Sequence, residues 1–164
     1  MISWGSVMKL LKVIIVFCLI SSANAFSRDR DITIESKDLN GVSQKAVSTV
    51  SKDASFEPFK DLGCKLVGKK IPLTSSSTVT YFITTSNACG WGAAVGPIWI
   101  VDESHEKVIL STGGYSIEVR QHAKNGFHDI DVNSEISGNP QSTSYFFKEG
   151  KYAPLKTHDG SVRH

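Results

Sequence analysis

The chain has 164 residues, 18 Lys and Arg against 16 Asp and Glu, and 40% apolar residues. That is a globular composition, long enough for one domain with its own core. With a formal charge of only +2 and no long run of one sign, the chain has no field to steer a phosphate backbone, and nucleic acid is excluded as the expected partner.

The first 25 residues read as a separate unit. Lys9 and Lys12 precede the apolar run Val13-Ile14-Ile15-Val16-Phe17-Cys18-Leu19-Ile20. Ser21-Ser22 then lead into Ala23-Asn24-Ala25. Charge, a short apolar core and a small-residue cleavage site, in that order, describe a secretory signal peptide. The run is too short to anchor stably in a bilayer, so no membrane span is expected after cleavage. Phe17 before Cys18 argues against lipid attachment at that cysteine. Cleavage removes two lysines and no acid, which leaves the remainder formally neutral. A periplasmic or secreted location follows.

Residues 26–37, polar around Ile32 and Ile34, read as a flexible arm, with a short edge strand as the alternative. Over 38–52, Val42, Ala46, Val47 and Val50 recur at helical spacing, and Asp38 or Asn40 can cap the helix. Pro58 and the corner Asp61-Leu62-Gly63 end it. From Cys64 onward the pattern is β. Residues 64–67 and 70–73 are short apolar pieces broken by Gly68 and Pro72. Residues 78–85 are β-branched or aromatic almost throughout. Residues 98–101 are apolar on both faces, which predicts a strand covered on both sides. Residues 107–111 form another strand, and Thr112-Gly113-Gly114 a turn. Tyr115, Ile117 and Val119 then alternate with Ser116, Glu118 and Arg120, the mark of a half-buried strand. Asn125-Gly126 is a hairpin turn, followed by Ile130 and Val132 alternating with Asp129 and Asp131. Residues 143–148 and 151–155 pair around Glu149-Gly150. The tail 157–164 has no apolar anchor and reads as disordered.

The predicted fold is mainly β, an antiparallel meander, sandwich or partial barrel, with one N-terminal α-helix. The domain runs over 38–156.

Cysteine usage agrees with export. Once Cys18 leaves with the signal peptide, Cys64 and Cys89 remain, and two cysteines in an oxidising compartment are expected to pair. The bond closes a loop of about 26 residues, a stabilisation of roughly 3 kcal/mol in the chain-entropy model.

The candidate functional segment is 86–97, Ser86-Asn87-Ala88-Cys89-Gly90-Trp91-Gly92-Ala93-Ala94-Val95-Gly96-Pro97. It sets three glycines, a tryptophan and a cysteine between two strands. Glycine permits positive φ and close approach, and tryptophan on a loop is a common interface anchor. Asn87, Gly90, Trp91 and Gly92 are therefore the candidate binding residues. The competing reading is a disulfide-pinned turn with Trp91 folded onto the sheet.

Catalysis finds less support. Cys89 with His105, His122 or His128 as base would need a free thiolate, which a disulfide removes. There is no G-x-S-x-G elbow. Asp102-Glu103-Ser104-His105 are consecutive, so they read as a polar hairpin turn rather than a convergent triad. His122, His128, Asp129 and Asp131 surround one hairpin, but His128 shares a face with Ile130 and Val132 while the two acids point the other way. Neither H-E-x-x-H nor a pair of C-x-x-C motifs is present. No catalytic residue, metal or cofactor is expected.

Two resemblances are local. Gly126-Phe127-His128-Asp129-Ile130, after Asn125, resembles the strand entry of FG-GAP-like exported β repeats. Tyr145-Phe146-Phe147-Lys148-Glu149-Gly150-Lys151-Tyr152 is similar to the closing hairpin that often follows it. In those repeats, oxygen ligands ahead of the glycine bind calcium. The matching positions here are Gln121, Ala123 and Asn125, with no acid among them, so the resemblance does not extend to calcium. Ala88-Cys89-Gly90-Trp91-Gly92 and Gly96-Pro97-Ile98-Trp99 resemble a pattern of small uncharacterised periplasmic bacterial proteins, which implies bacterial export and no particular activity.

The expected function is non-enzymatic binding of another protein in the periplasm, in its most specific form as an inhibitor or immunity protein against a cell-wall-degrading enzyme. A small secreted hydrolase built on His105, His122 or Asp129 and an envelope-associated structural module are the alternatives.

Overall fold

The computed structural model describes residues 31–93 and 95–155. The segment read as a signal peptide, 1–25, and the tail 157–164 lie outside the described residues. The elements are β1 (Asp31–Thr33), α1 (Gln44–Ser51), a 3-10 turn (Ala54–Phe56), α2 (Glu57–Asp61), β2 (Leu66–Ile71), β3 (Thr80–Thr85), β4 (Gly96–Asp102), β5 (Lys107–Gly114), β6 (Ser116–Lys124), β7 (Phe127–Ile136), β8 (Asn139–Lys148) and β9 (Lys151–Pro154).

The strands form two antiparallel sheets, ordered β2-β3-β4-β5 and β1-β6-β7-β8-β9. Their inner faces pack together: Phe82, Ile98 and Ile100 of the first meet Ile117, Ile130 and Val132 of the second in one apolar cluster. The outer face of the four-stranded sheet carries a second cluster. There Tyr81, Ile83, Trp99 and Val101 are covered by Ala46 and Val50 of α1 and by Phe56. Trp99 lies edge-on to Phe56 and Phe59 and donates its indole N–H to Ser55 Oγ at 2.8 Å. β3 and β4 are thus buried on both faces throughout, as the apolar run Ile98–Val101 predicts for β4.

Several local readings change. The helical content comes as two short helices and a 3-10 turn rather than one helix over 38–52. Ser43, not Asp38 or Asn40, caps α1 by accepting from the Ala46 N–H at 3.0 Å. Asn40 is held in extended backbone by a bridge to Gly68, and Asp38 pairs with Lys69 at 2.7 Å, so neither starts a helix. The segment read as a flexible arm ends in an edge strand. Asp31–Thr33 pairs with β6, and Ile32 and Ile34 are buried against the core.

β2 runs through Gly68 instead of breaking there. A side chain at that position would strike the Phe82 carbonyl of the neighbouring strand, so only glycine fits the close approach. Thr112-Gly113-Gly114 is not a turn but the end of β5. The chain then passes to the other sheet, where the Tyr115 N–H donates to the Asn133 carbonyl at 2.7 Å.

Candidate functional site

The 86–97 segment starts from a well-built base. α2 ends in a Schellman motif: Gly63, at φ 70°, donates to the Lys60 carbonyl at 2.9 Å, and the Cys64 N–H donates to the Phe59 carbonyl at 3.0 Å. This places Cys64 against Cys89, and the two are joined in a disulfide with Cα atoms 5.5 Å apart. On the other side of the loop, the Ser86 N–H donates to the Lys65 carbonyl at 2.8 Å.

Between these anchors the backbone reverses sharply. Asn87 and Ala88 take φ of 55° and 53°, and the Cys89 N–H closes onto the Ser86 carbonyl at 3.1 Å. Two positive φ values in succession define a primed turn, whose second position favours glycine. Here that position holds alanine. Gly90 follows at φ 72°, and an added Cβ there would lie 2.7 Å from the Phe59 ring. The turn is thus a strained segment braced from both ends.

Trp91 does not project from this loop. Its indole N–H donates to Thr85 Oγ1 at 2.8 Å, and that hydroxyl donates to the Cys89 carbonyl at 2.7 Å. The ring packs beside Gly96 and against the main core. Of the sequence candidates, Asn87, Gly90 and Gly92 are exposed and Trp91 is half-buried. Leu62, which the sequence reading did not select, stands beside Gly90 and is 64% exposed. Its signal was an apolar residue in a polar corner two positions before a cysteine. Between the loop and the stretch after β1 opens a cleft of about 490 Å³, lined among others by Glu35, Lys37, Asn87 and Ala88. Tyr115 donates its hydroxyl to Glu35 Oε2 at 2.9 Å. That bond, with burial and the carboxylate charge, holds the phenol above the ordinary tyrosine range.

The histidines separate. His105 lies in the β4–β5 turn with its Nδ1 2.7 Å from Asp102 Oδ2, and the Asp102 carboxylate also accepts the His105 backbone N–H. The four residues from Asp102 therefore make a hairpin corner. His128, at the start of β7, has its Nδ1 buried and without a partner. His122 sits on the other sheet from His105, with Nδ1 2.6 Å from Asp129 Oδ2.

Around His122 lies a second polar group that the sequence did not assemble. Arg120, His122, Asp129, Asp131 and Ser144 line one cleft of about 450 Å³ on the outer face of β6, β7 and β8. Arg120 pairs with Asp131, whose other oxygen accepts from Ser144 Oγ at 2.7 Å. The pair raises the Arg120 guanidinium above its usual range, first through the hydrogen bond and then through the charge. β6 and β7 slip register between Val119 and Ala123, and this irregularity, invisible in a residue pattern, brings His122 opposite Asp129. Among the described residues no three His, Cys, Asp or Glu side chains come together as a metal site, and no helix is long and apolar enough to cross a membrane.

Comparison of the chain with protein-family models, with curated proteins and with solved structures returned no match.

Proposed function

We propose that this is a non-enzymatic, extracytoplasmic binding protein whose contact surface is the disulfide-braced turn at Asn87, Ala88 and Gly90 together with Leu62. The single observation that carries the reading is the bracing itself. Two consecutive non-glycine residues are held at positive φ by a disulfide, a helix cap and the Trp91–Thr85–Cys89 chain. Backbone strain held in place by its surroundings concentrates at functional sites, and a turn already rigid loses little entropy when a partner closes on it.

The partner is a protein of the same compartment. In the most specific form of the proposal, the turn enters the cleft of a cell-wall-degrading enzyme and blocks it, as an inhibitor or immunity protein does. A periplasmic location suits both the disulfide and the leader sequence. The hydrolase reading has less support, because hydroxyl and imidazole do not meet. Ser144 donates to Asp131 and His122 bonds Asp129, so each is tied to a carboxylate and neither to the other.

The test is capture of partners from an envelope extract with the wild type, Leu62→Lys and Asn87→Asp. Asparagine and aspartate both tolerate positive φ, so the second variant adds charge at the turn without disturbing it. The proposal expects a discrete protein with the wild type and its loss with either variant at unchanged thermal stability. Equal capture by all three would remove the turn from any role in binding.

A further inference from the structure

The outer face of β6, β7 and β8 points to a second binding site, separate from the braced turn and sharing no residue with it. We infer that the cleft lined by Arg120, His122, Asp129, Asp131 and Ser144 binds a neutral saccharide. Alternation along each strand sends Ile117, Ile130 and Val132 into the core and leaves Arg120, His122, Asp129 and Asp131 on the opposite face. A solvated face would keep such charges apart and mobile. Here the two carboxylates of β7 form a floor, with Asp131 only 4% and Asp129 only 24% exposed, and each holds one side chain of β6 above it, Arg120 on Asp131 and His122 on Asp129. Both β6 side chains remain open to the cleft, Arg120 at 52% and His122 at 70% exposure.

This arrangement selects a ligand class. Arg120 is neutralised by Asp131 and His122 is bonded to Asp129, so no unpaired cation is left in the cleft to attract an anion. What it offers instead is interleaved donors and acceptors: the outward N–H groups of Arg120, the Nε2 of His122, and the carboxylate and hydroxyl oxygens beneath. A sugar hydroxyl both donates and accepts and matches such a surface. Asp129 Oδ1 is buried with no hydrogen-bond partner, so the network is one donor short. Phe146 and Leu155 close the cleft with apolar surface, and Leu155 is 58% exposed. They offer a wall for the C–H face of a sugar ring. The volume, about 450 Å³, lies within the range of small-ligand sites.

The experiment is an NMR titration of the full mature protein, disulfide intact. The probes are maltotriose and the trimer of N-acetylglucosamine, with acetate and glucuronate as anionic counterparts. The inference expects saturable shifts at Arg120, His122, Asp129 and Ser144 with at least one neutral sugar. Asp129→Asn, which keeps the shape but replaces one acceptor by a donor, and Arg120→Lys, which keeps the charge but loses the fork, should each weaken binding by about tenfold or more while the protein stays folded. Three outcomes overturn it. They are no saturable shift at these residues with either neutral sugar, shifts that acetate reproduces in full (which makes this an anion site), or wild-type affinity in both variants.

Discussion

Trp91 and Thr85 are joined by a 2.8 Å hydrogen bond from the indole N–H to Oγ1, and the same hydroxyl is spent on the Cys89 carbonyl at 2.7 Å. The tryptophan is therefore a strut for the loop, and its absence should be felt in the backbone it supports. Trp91→Phe keeps the packed ring and deletes the donor. It is expected to lower stability by about 1 kcal/mol and to speed amide exchange at Cys89 and Gly90 more than in β3 and β4. Denaturant titration and hydrogen exchange followed by mass spectrometry check both.

Ala88 holds a conformation that costs an L-residue roughly 1–2 kcal/mol. Ala88→Gly removes that cost and in return loosens the unfolded chain. The net expected effect is a gain of about 1 kcal/mol, read as a higher midpoint in urea. A loss of stability would show that the turn is not strained as described.

Removing the disulfide acts mainly on the unfolded state. The bonded cysteines are 25 positions apart, and for such a loop the chain-entropy model gives about 3 kcal/mol. Cys64→Ala with Cys89→Ala is expected to lose that amount in urea denaturation and to keep its far-ultraviolet β signal. The sheets do not depend on the bond, because both apolar clusters are built from other residues.

Tyr152 gives a pH dependence with a definite sign. Its ring is buried, its hydroxyl donates to the His128 carbonyl at 2.6 Å, and burial followed by the charge of Asp129 pushes its pKa well up. A group whose folded pKa is raised contributes stability below its unfolded value, about 10 for tyrosine, and loses it as pH climbs toward the folded value. Stability should hold through neutral pH and fall above about pH 10. Tyr152→Phe should flatten that alkaline fall and cost about 1 kcal/mol at pH 7 through the lost hydrogen bond.

Much of this architecture is written in local pattern. β4 announces its two-sided burial through the apolar run at 98–101, β3 declares itself a strand through its β-branched and aromatic residues, and the alternation around Ile117 and Ile130 assigns the inner face of the five-stranded sheet. Asn125-Gly126 and Glu149-Gly150 mark their hairpins. What escaped depends on a neighbour from elsewhere in the chain. Gly68 reads as a break because the Phe82 carbonyl that demands a glycine there belongs to another strand. Gly114 reads as a turn for the same reason, since an added Cβ would lie 2.5 Å from Val132 Cγ1 across the sandwich. Asp38 and Asn40 are good caps in isolation, but tertiary pairing with Lys69 and Gly68 claims them first. The loop was legible as an unusual segment. The inward turn of Trp91 was one of two readings left open, because the receiving hydroxyl, Thr85, sits in a strand whose face a sequence does not specify. The polar cleft depends on a register slip and on three strands at once, which no spacing rule reaches.

The proposal for the braced turn is tested most directly by a photo-crosslinking amino acid placed at Asn87, with the same group at the exposed Gln141 of β8 as the control. In intact cells or an envelope extract, the Asn87 position is expected to capture one discrete protein, and the capture should vanish when the disulfide is reduced. The Gln141 position should capture none of it. Identical capture from both positions, or capture from Asn87 that survives reduction unchanged, would contradict a contact surface made by the braced turn.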